Sequence, residues 1–415
     1  MSRFLFVVPP LTGHVNPTVG VAAALVARGH RVAWVCPDPE LVGRLAGRAA
    51  GPVFGCGGAP AGERPAELRG PEALKFLWEW YLLPLAEAMA PGVRAAVEAF
   101  RPDVVVADQQ AFAGALVAER LGLPWATSAT TSAEFTDPLA GLPKVRQWLD
   151  ERLTALRAAV GDPAAAADPR FSPHLVVAFS TPELAGETSG VPRFPGVFGV
   201  PGSGESNGIA GSGGNGRRVC WVGPSVSARP SAAGFPWEWL DAGRATVLVT
   251  LGTANADVGG RFLDVCRSAL RERADRVQGV IVDPGGTLTA REPDKDVLVV
   301  PFVPQLDLLE RGVGAVVCHA GHNTVCEALW HGVPLVVAPI RDDQPVVAGQ
   351  VVDAGAGVRV RFGRVTAQRF GAALDSVLDD PGHRAAADRI RTAFRTAGGA
   401  SAAAARLDEL AREFT

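Results

Sequence analysis

The sequence contains no Cys-x-x-Cys pair and no hydrophobic run long enough to cross a membrane. Its six cysteines are scattered without the Cys/His spacing of a zinc site, and we expect them to be reduced, buried and apolar in role. The apolar run at the amino end spans six residues before Pro9 and Pro10, which is too short for a signal-peptide core or a membrane span. These absences predict a cytoplasmic protein without membrane insertion.

The sequence also lacks an excess of charge of either sign. Its 40 lysine and arginine residues stand against 43 aspartate and glutamate residues, a formal net charge of −3. A near-neutral chain has no broad basic field for nucleic acid or an anionic membrane, so we expect neither as a partner. At 415 residues, 47% of them apolar, the chain exceeds the size at which single cores split, and this length predicts two domains.

What the chain does contain is an alternation of short β-branched runs with Ala/Leu-rich helical stretches. This alternation is typical of parallel strands joined by crossover helices. It breaks at 201–216, a Gly/Ser-rich segment that indicates a flexible loop, and then resumes. We predict an α/β fold of two Rossmann-like doubly wound domains facing across a cleft. The predicted divisions are a first domain at 1–216, a connector at 217–236, a second domain at 237–399 and a last helix at 400–415.

A turn in the second domain carries the strongest chemical signal. The strand before it runs into His319, and the helix after it begins near Asn323 and contains Glu327. Such a helix start directs free N–H groups and the positive end of the helix dipole at one point, which suits a phosphate. His319 and Thr324 can add side-chain donors, and Glu327 can accept from paired ribose hydroxyls. Taken separately, Thr324 is also explained as a helix cap and His319 as a core residue.

Two flanking segments supply further candidate binding groups. Asp343 and Gln344 follow the next predicted strand, and a carboxylate beside a carboxamide suits the hydroxyls of a hexose. Phe302 can present an aromatic face to a base, while Val303 and Gln305 offer backbone groups to its edge. Asp343 alone is also explained as a helix cap, and Phe302 alone as a core residue.

The segment 302–344, FVPQLDLLERGVGAVVCHAGHNTVCEALWHGVPLVVAPIRDDQ, resembles the donor-binding signature of the GT-B glycosyltransferases that use nucleoside-diphosphate sugars. The run VLVTLGT at 247–253 is similar to the strand and phosphate-side turn that open the second domain of these enzymes. The resemblance is to the UDP-glycosyltransferases and bacterial macrolide glycosyltransferases, and it extends over nearly the whole chain. The donor-binding residues that it implies are Gly252, Thr253, Phe302, Val303, Gln305, His319, Gly321, Asn323, Thr324, Glu327, Asp343 and Gln344.

In the first domain, PPLTGHVNP at 9–17 is similar to the opening strand and loop of the same family. The resemblance places His14 at the position of the catalytic base, and an imidazole of ordinary pKa near 6.5 can take a proton from a hydroxyl at neutral pH. Asp108 ends the run VVVAD, and the resemblance implies that it orients His14 and stabilises the imidazolium, as in a serine-protease triad. Asp108 alone is also explained as a helix cap.

Family members bind the acceptor mainly in the first domain, so the resemblance makes 1–216 the acceptor-binding domain. The segment FLWEWY at 76–81 concentrates four aromatic residues, including the only tyrosine. An aromatic-lined pocket favours a polyketide, macrolide, flavonoid or carotenoid-like acceptor. The candidate acceptor contacts are Trp78, Tyr81, Phe112 and Phe135.

These features together predict an inverting glycosyltransferase that moves a hexose from a UDP- or TDP-sugar to a hydroxyl of a small apolar natural product. We expect UDP-glucose as co-substrate, with no metal and no other cofactor. An epimerase or hydrolase of sugar nucleotides on the same fold explains the donor signature but not the pairing of His14 with Asp108. A non-catalytic sugar-nucleotide-binding protein is a further alternative. The glycine patterns of nicotinamide-dependent dehydrogenases and P-loop nucleotidases are missing.

Overall fold

A computed structural model describes residues 1–47, 51–59, 65, 68, 70–136, 139, 141–186, 218–227, 234–252, 259–288 and 294–414. The predicted flexible loop at 201–216 and the candidate donor residue Thr253 lie outside these residues.

The first domain is built on a parallel sheet of seven strands. They are β1 (Arg3–Val7), β2 (Arg31–Cys36), β3 (Val53–Gly55), β4 (Val104–Asp108), β5 (Trp125–Ala129), β6 (Leu175–Ala178) and β7 (Arg218–Trp221). The sheet order is β3-β2-β1-β4-β5-β6-β7. Helices cover both faces, as the apolar strands require. They are α1 (Thr12–Ala27), α2 (Pro39–Ala46), α3 (Gly70–Phe76), α4 (Leu83–Phe100), α5 (Phe112–Arg120), α6 (Pro143–Val160) and α7 (Pro182–Ala185), with a π-helical turn at Leu77–Leu82.

The second domain repeats the plan on a parallel sheet of six strands. They are β8 (Ala245–Thr250), β9 (Val277–Val282), β10 (Val297–Val300), β11 (Ala315–Cys318), β12 (Leu335–Val337) and β13 (Gly357–Arg359), in the order β10-β9-β8-β11-β12-β13. The helices that follow in the chain are α8 (Gly260–Arg271), α9 (Gln305–Glu310), α10 (His322–Trp330), α11 (Gln344–Asp353), α12 (Ala367–Asp379), α13 (Pro381–Ala397) and α14 (Gly399–Glu413). Single 3₁₀ turns lie at Ala133–Phe135 and Trp237–Trp239.

Both sheets reverse their strand order once, between β1 and β4 and between β8 and β11. In doubly wound sheets a ligand binds outside the carboxyl ends of the strands at this reversal, because the helices diverge to opposite faces there. His14 follows β1 and Asp108 ends β4, while Gly252 follows β8 and His319 follows β11. The predicted fold class is confirmed, and the topology itself selects the neighbourhoods in which the candidate residues lie.

The structure differs from the sequence-based prediction at several edges. Strand β7 pairs with β6, so the first sheet extends to Trp221 into the segment that we assigned to the connector. Strands β3 and β13 are three residues long, which is too short to give a period-two pattern. Helix α1 begins at Thr12, inside the run at 9–17 that we compared with an opening strand and loop, and it contains Pro17. A proline lacks the N–H that would bond to the carbonyl four residues earlier, so the Gly13 carbonyl is left for another partner.

The chain crosses between the domains twice, and the two crossings touch. The first follows Val222, and the second, where α13 gives way to α14, contains Gly398 and Gly399. The Gly399 N–H donates to the Val222 carbonyl at 2.6 Å. Helix α14 then packs on α1 of the first domain, where Asp408 lies 3.3 Å from His30 Nε2. Within the described residues, no helix is both long and apolar enough to cross a membrane.

Candidate active site

The structure brings His14 and Asp108 into direct contact. His14 Nδ1 lies 2.9 Å from Asp108 Oδ1 and 3.0 Å from Oδ2. Asp108 is buried, and the Gln110 N–H donates to its Oδ1 at 2.8 Å. The Thr130 hydroxyl donates to Asp108 Oδ2 at 3.0 Å and lies 2.8 Å from His14 Nδ1. These contacts hold a proton on Nδ1 and leave the lone pair of His14 Nε2 to act as a base.

Opposing effects act on the protonation of His14. Burial lowers the pKa of its imidazole, but the charge and hydrogen bond of Asp108, with a further contribution from Asp343, outweigh this effect and raise the pKa above 6.5. Asp343 belongs to the second domain, so the basicity of His14 depends on both domains. A base whose pKa lies near the working pH combines a useful neutral fraction with a strong pull on a hydroxyl proton.

In the second domain, His319 begins the turn between β11 and α10, and its ring lies against two glycines, Gly252 after β8 and Gly321 in the turn itself. A Cβ at Gly252 would come within 2.7 Å of His319 Cε1, and a Cβ at Gly321 would overlap Nε2. Burial lowers the pKa of His319 to about 4, so the imidazole is neutral and has one N–H to donate. Ala320, between His319 and Gly321 in the sequence, has a φ of 64°, a left-handed conformation that costs a non-glycine residue about 1 kcal/mol or more. The turn is therefore shaped around this imidazole.

Replacing Gly321 by alanine should displace the His319 ring, because the backbone at Gly321 (φ −64°) tolerates alanine but the ring occupies the space of its Cβ. We expect a loss of roughly 1–3 kcal/mol in the free energy of unfolding, measured by urea titration, together with weaker binding of UDP. The matched control is Gly349→Ala within α11, where no atom lies within 4 Å of the added Cβ and stability should rise slightly. Equal effects of the two substitutions would contradict this account.

The remaining donor candidates of α9 and α10 lie close together. Gln305 Nε2 donates to Glu327 Oε2 at 2.6 Å, and Glu327 is buried. Phe302, by contrast, is 55% exposed, so its ring has a free face as base stacking requires. Val303 beside it is buried. Thr324 lies in the first turn of α10, half-buried, where the free N–H groups of that helix also lie.

The two hexose candidates after β12 already have protein partners. Asp343 Oδ2 accepts from Thr131 Oγ1 of the first domain at 2.6 Å. Gln344 Oε1 accepts from the N–H groups of Ile340 and Arg341 at 2.9 and 3.1 Å, and so fixes the loop that leads into α11. Asp343 does not cap α11 with its side chain, so the cap explanation that the sequence allowed does not hold here.

Several polar residues near the dyad gave no recognisable sequence signal. In the sequence, Thr130, Thr131 and Ser132 look like an ordinary polar loop, because the residues to which they bond lie in distant parts of the chain. Gln109 follows Asp108 and is 2% exposed, yet neither of its side-chain polar atoms has a hydrogen-bond partner within the described part of the chain. Ser225 of the connector lines a cavity of about 20 Å³ together with Asn323 and Glu327.

The aromatic acceptor candidates divide into core and non-core positions. Trp78 and Phe112 stack with ring centroids 5.4 Å apart inside the main core of the first domain. Phe135 is equally buried, against Phe171 and Trp221. Tyr81 is half-buried on the π-helical turn, and its hydroxyl has no partner within the described residues. Burial raises the pKa of Tyr81 to about 12, with the charge of Asp108 contributing.

Comparisons with known proteins identify the family to which the chain is related. Residues 242–393 match the family model described as UDP-glucoronosyl and UDP-glucosyl transferase. Demethyllactenocin mycarosyltransferase of Streptomyces fradiae is 31% identical over 97% of this chain and 85% of its own. The 4'-demethylrebeccamycin synthase of Lentzea aerocolonigenes is 31% identical over 95% of this chain and 96% of its own.

Solved structures give the same fold. The kitacinnamycin glycotransferase superposes with a TM-score of 0.78 at 24% identity, covering 99% of both chains. The spinosyn rhamnosyltransferase SpnG, complexed with thymidine diphosphate, has a TM-score of 0.70 at 24% identity, covering 98% of this chain and all of its own. With the two full-length relatives above, these findings mean that the chain is a glycosyltransferase and belongs to the UDP-glycosyltransferase family.

Proposed function

We propose that this enzyme transfers a hexose from a UDP-sugar to a hydroxyl group of a small, largely apolar natural product, with inversion at the anomeric carbon. The observation that carries the proposal is the His14–Asp108–Thr130 cluster at the strand-order reversal of the first sheet. A non-catalytic binding protein has no need of such a base, whereas a hydrolase would use it on water, so the acceptor test below separates a hydrolase from a transferase. The two full-length relatives carry names from antibiotic glycosylation, which favours an acceptor of that kind.

In the proposed reaction, His14 Nε2 takes the proton of the acceptor hydroxyl as its oxygen forms a bond to the anomeric carbon. The bond from that carbon to the diphosphate oxygen breaks, and the nucleoside diphosphate leaves with the electron pair. The positive end of α10, with donors from His319 and Thr324, would stabilise the departing charge. Asp108 would stabilise the imidazolium that forms. We assign no step to a metal ion or another cofactor.

The acceptor would lie at the carboxyl ends of β1 and β4, above the dyad. Tyr81 is the aromatic candidate best suited to meet it, because its hydroxyl has no protein partner within the described residues. The carboxamide of Gln109 is a second polar group for which the described part of the chain supplies no partner, and buried groups of this kind call for one. We assign these two side chains to polar atoms of the acceptor, and Trp78, Phe112 and Phe135 to the packing beneath the site.

The function can be tested by incubating the enzyme with UDP-glucose alone and with a panel of macrolide, polyketide and flavonoid acceptors. We expect a mass increase of one hexose on at least one acceptor, a β-linkage by NMR from the α-linked donor, and unchanged turnover after EDTA treatment. Donor cleavage or epimerisation at the same rate without an acceptor would instead identify a hydrolase or an epimerase.

The ribose of the donor should be recognised by Glu327. Its carboxylate can accept from the 2′ and 3′ hydroxyls together, whereas a 2′-deoxyribose offers only one, and charge-assisted hydrogen bonds of this kind correspond to about a ten- to a hundredfold preference. We therefore expect a higher kcat/KM for UDP-glucose than for TDP-glucose, and a reduced preference in Glu327→Ala. The thymidine diphosphate complex of SpnG makes TDP-glucose the necessary comparison.

Glu310→Ala, at the exposed end of α9, serves as the control for this measurement and should leave the donor preference unchanged. Equal use of both donors by the parent enzyme would show that Glu327 does not read the ribose.

A further inference from the structure

Three consecutive hydroxyl side chains, those of Thr130, Thr131 and Ser132, follow β5 and are buried between the domains. Thr130 contacts the catalytic pair of its own domain. The other two reach across to the second domain. Thr131 Oγ1 donates to Asp343 Oδ2 at 2.6 Å, and Ser132 Oγ donates to Gln350 Oε1 at 2.6 Å. One short segment therefore touches both the base and the domain that carries the donor signature.

We propose that Thr131 and Ser132, with their partners Asp343 and Gln350, form an interdomain latch that sets the position of the donor domain relative to the catalytic pair. Within this latch, Thr131 is a positioning residue that fixes the Asp343 carboxylate for the hexose. The assignment of a hexose to Asp343 rests on the proposed function, whereas the latch itself rests on the contacts.

The Thr131 contact matters because Asp343 is a poorly solvated carboxylate. Burial raises its pKa, and the hydrogen bond from Thr131 acts in the opposite direction, so the hydroxyl stabilises the charged form. The bond also fixes the orientation of the carboxylate. With Oδ2 held by Thr131, the second oxygen has acceptor capacity for a sugar hydroxyl. The same charge acts on His14, so the position of Asp343 influences both substrates.

Neighbouring contacts show that this interface is specific rather than a chance approach. Asn323 Nδ2 donates to the Gly13 carbonyl at 2.7 Å, the carbonyl that Pro17 leaves without a helical partner. His322 Nε2 donates to the Phe179 carbonyl at 3.2 Å. These bonds reach the segments after β1 and β6, while the latch reaches the segment after β5, so three segments that follow strands of the first sheet contact the second domain.

The decisive variant is Thr131→Val, which keeps the shape of the side chain and removes its hydroxyl. We expect kcat for hexose transfer to fall by roughly 10- to 100-fold, the usual range for a charge-assisted hydrogen bond, with the acceptor KM unchanged. Calorimetric titration should show weaker binding of UDP-glucose but unchanged binding of UDP, which has no hexose. Thr131→Ser keeps the hydroxyl and should recover most of the activity.

The matched control is Thr136→Val. The hydroxyl of Thr136 donates to the Ala133 carbonyl within its own turn, so its loss should change neither kcat nor the affinity for UDP-glucose. Parent-like transfer by Thr131→Val, equal impairment of Thr131→Ser, or equal weakening of UDP and UDP-glucose binding would overturn the positioning role.

A readout independent of activity separates the latch from the proposed function. Hydrogen exchange followed by mass spectrometry should show faster exchange across residues 340–350 in Thr131→Val and in Ser132→Ala than in the parent and in Thr136→Val. Unchanged exchange in both latch variants would overturn the latch. If the parent transfers no hexose to any acceptor, the proposed function fails, and the exchange result still decides on the latch.

Discussion

Replacing His14 by alanine is expected to lower hexose transfer by roughly 10²- to 10⁴-fold, the usual contribution of a general base. The effect should fall on kcat, because His14 acts on the acceptor proton and has no donor-binding role in the proposed reaction. Transfer rates with saturating UDP-glucose, together with UDP affinity by calorimetry, measure this directly. Near-parental turnover in the variant would remove His14 from the mechanism.

The parent's pH profile offers a second measure of the same residue. Only the neutral imidazole can take a proton, and the pKa of His14 lies above 6.5. The rate should therefore fall as the pH is lowered through a value above 6.5, and this acid limb should be missing in the alanine variant. The chain contains a matched control in His30, which also contacts an aspartate, Asp408, but lies away from the cleft. His30→Gln should keep both the turnover and the acid limb.

Replacing Asp108 by asparagine is expected to cost about 10³- to 10⁴-fold in kcat, as a change of histidine tautomer does in a serine-protease triad. An asparagine N–H facing His14 Nδ1 would favour the proton on Nε2, the atom that must be a base. Loss of the negative charge should also lower the pKa of His14 and move the acid limb of the rate profile to lower pH.

Asp103→Asn provides the comparison for this variant. Asp103 lies just before the opposite end of β4, where its Oδ2 accepts from the Arg3 N–H at 2.7 Å, and its replacement should leave the pH profile unchanged. An unshifted acid limb in Asp108→Asn would show that Asp108 does not set the basicity of His14.

Most of the fold could be predicted because short apolar strands alternate regularly with helical stretches. The four-residue strands β10 and β11 consist entirely of apolar residues and carry this signal. Strand β7 has four residues, as β10 and β11 do, but it begins with Arg218 and follows the Gly/Ser-rich segment at 201–216, so the alternation did not reveal it. The π-helical turn at Leu77–Leu82 escaped prediction because nothing in the residue pattern of this aromatic segment marks a change from α-helical hydrogen bonding.

The site could be predicted only where a local motif carries it. His14 follows β1 and Asp108 ends β4, each in or beside a run similar to the family's, and the resemblance implied that the two side chains meet. The contact between Thr131 and Asp343 joins residues 212 positions apart, and no local motif at either residue indicates that the two meet. Trp78 and Phe112 were candidate acceptor contacts but lie in the core of the first domain. Aromatic character alone does not distinguish the wall of a pocket from a core.

The two crossings between the domains lie side by side, with Gly399 bonded to Val222 and a Cβ at Gly223 excluded by the Phe394 carbonyl 2.8 Å away. Two domains joined at one edge by a pair of adjacent segments can rotate about that edge as about a hinge. The natural motion is a swing about that edge, with the largest displacement at the points farthest from it. A bulky residue at Gly223 would push the two segments apart at the hinge, so a single substitution there should alter the angle between the two domains.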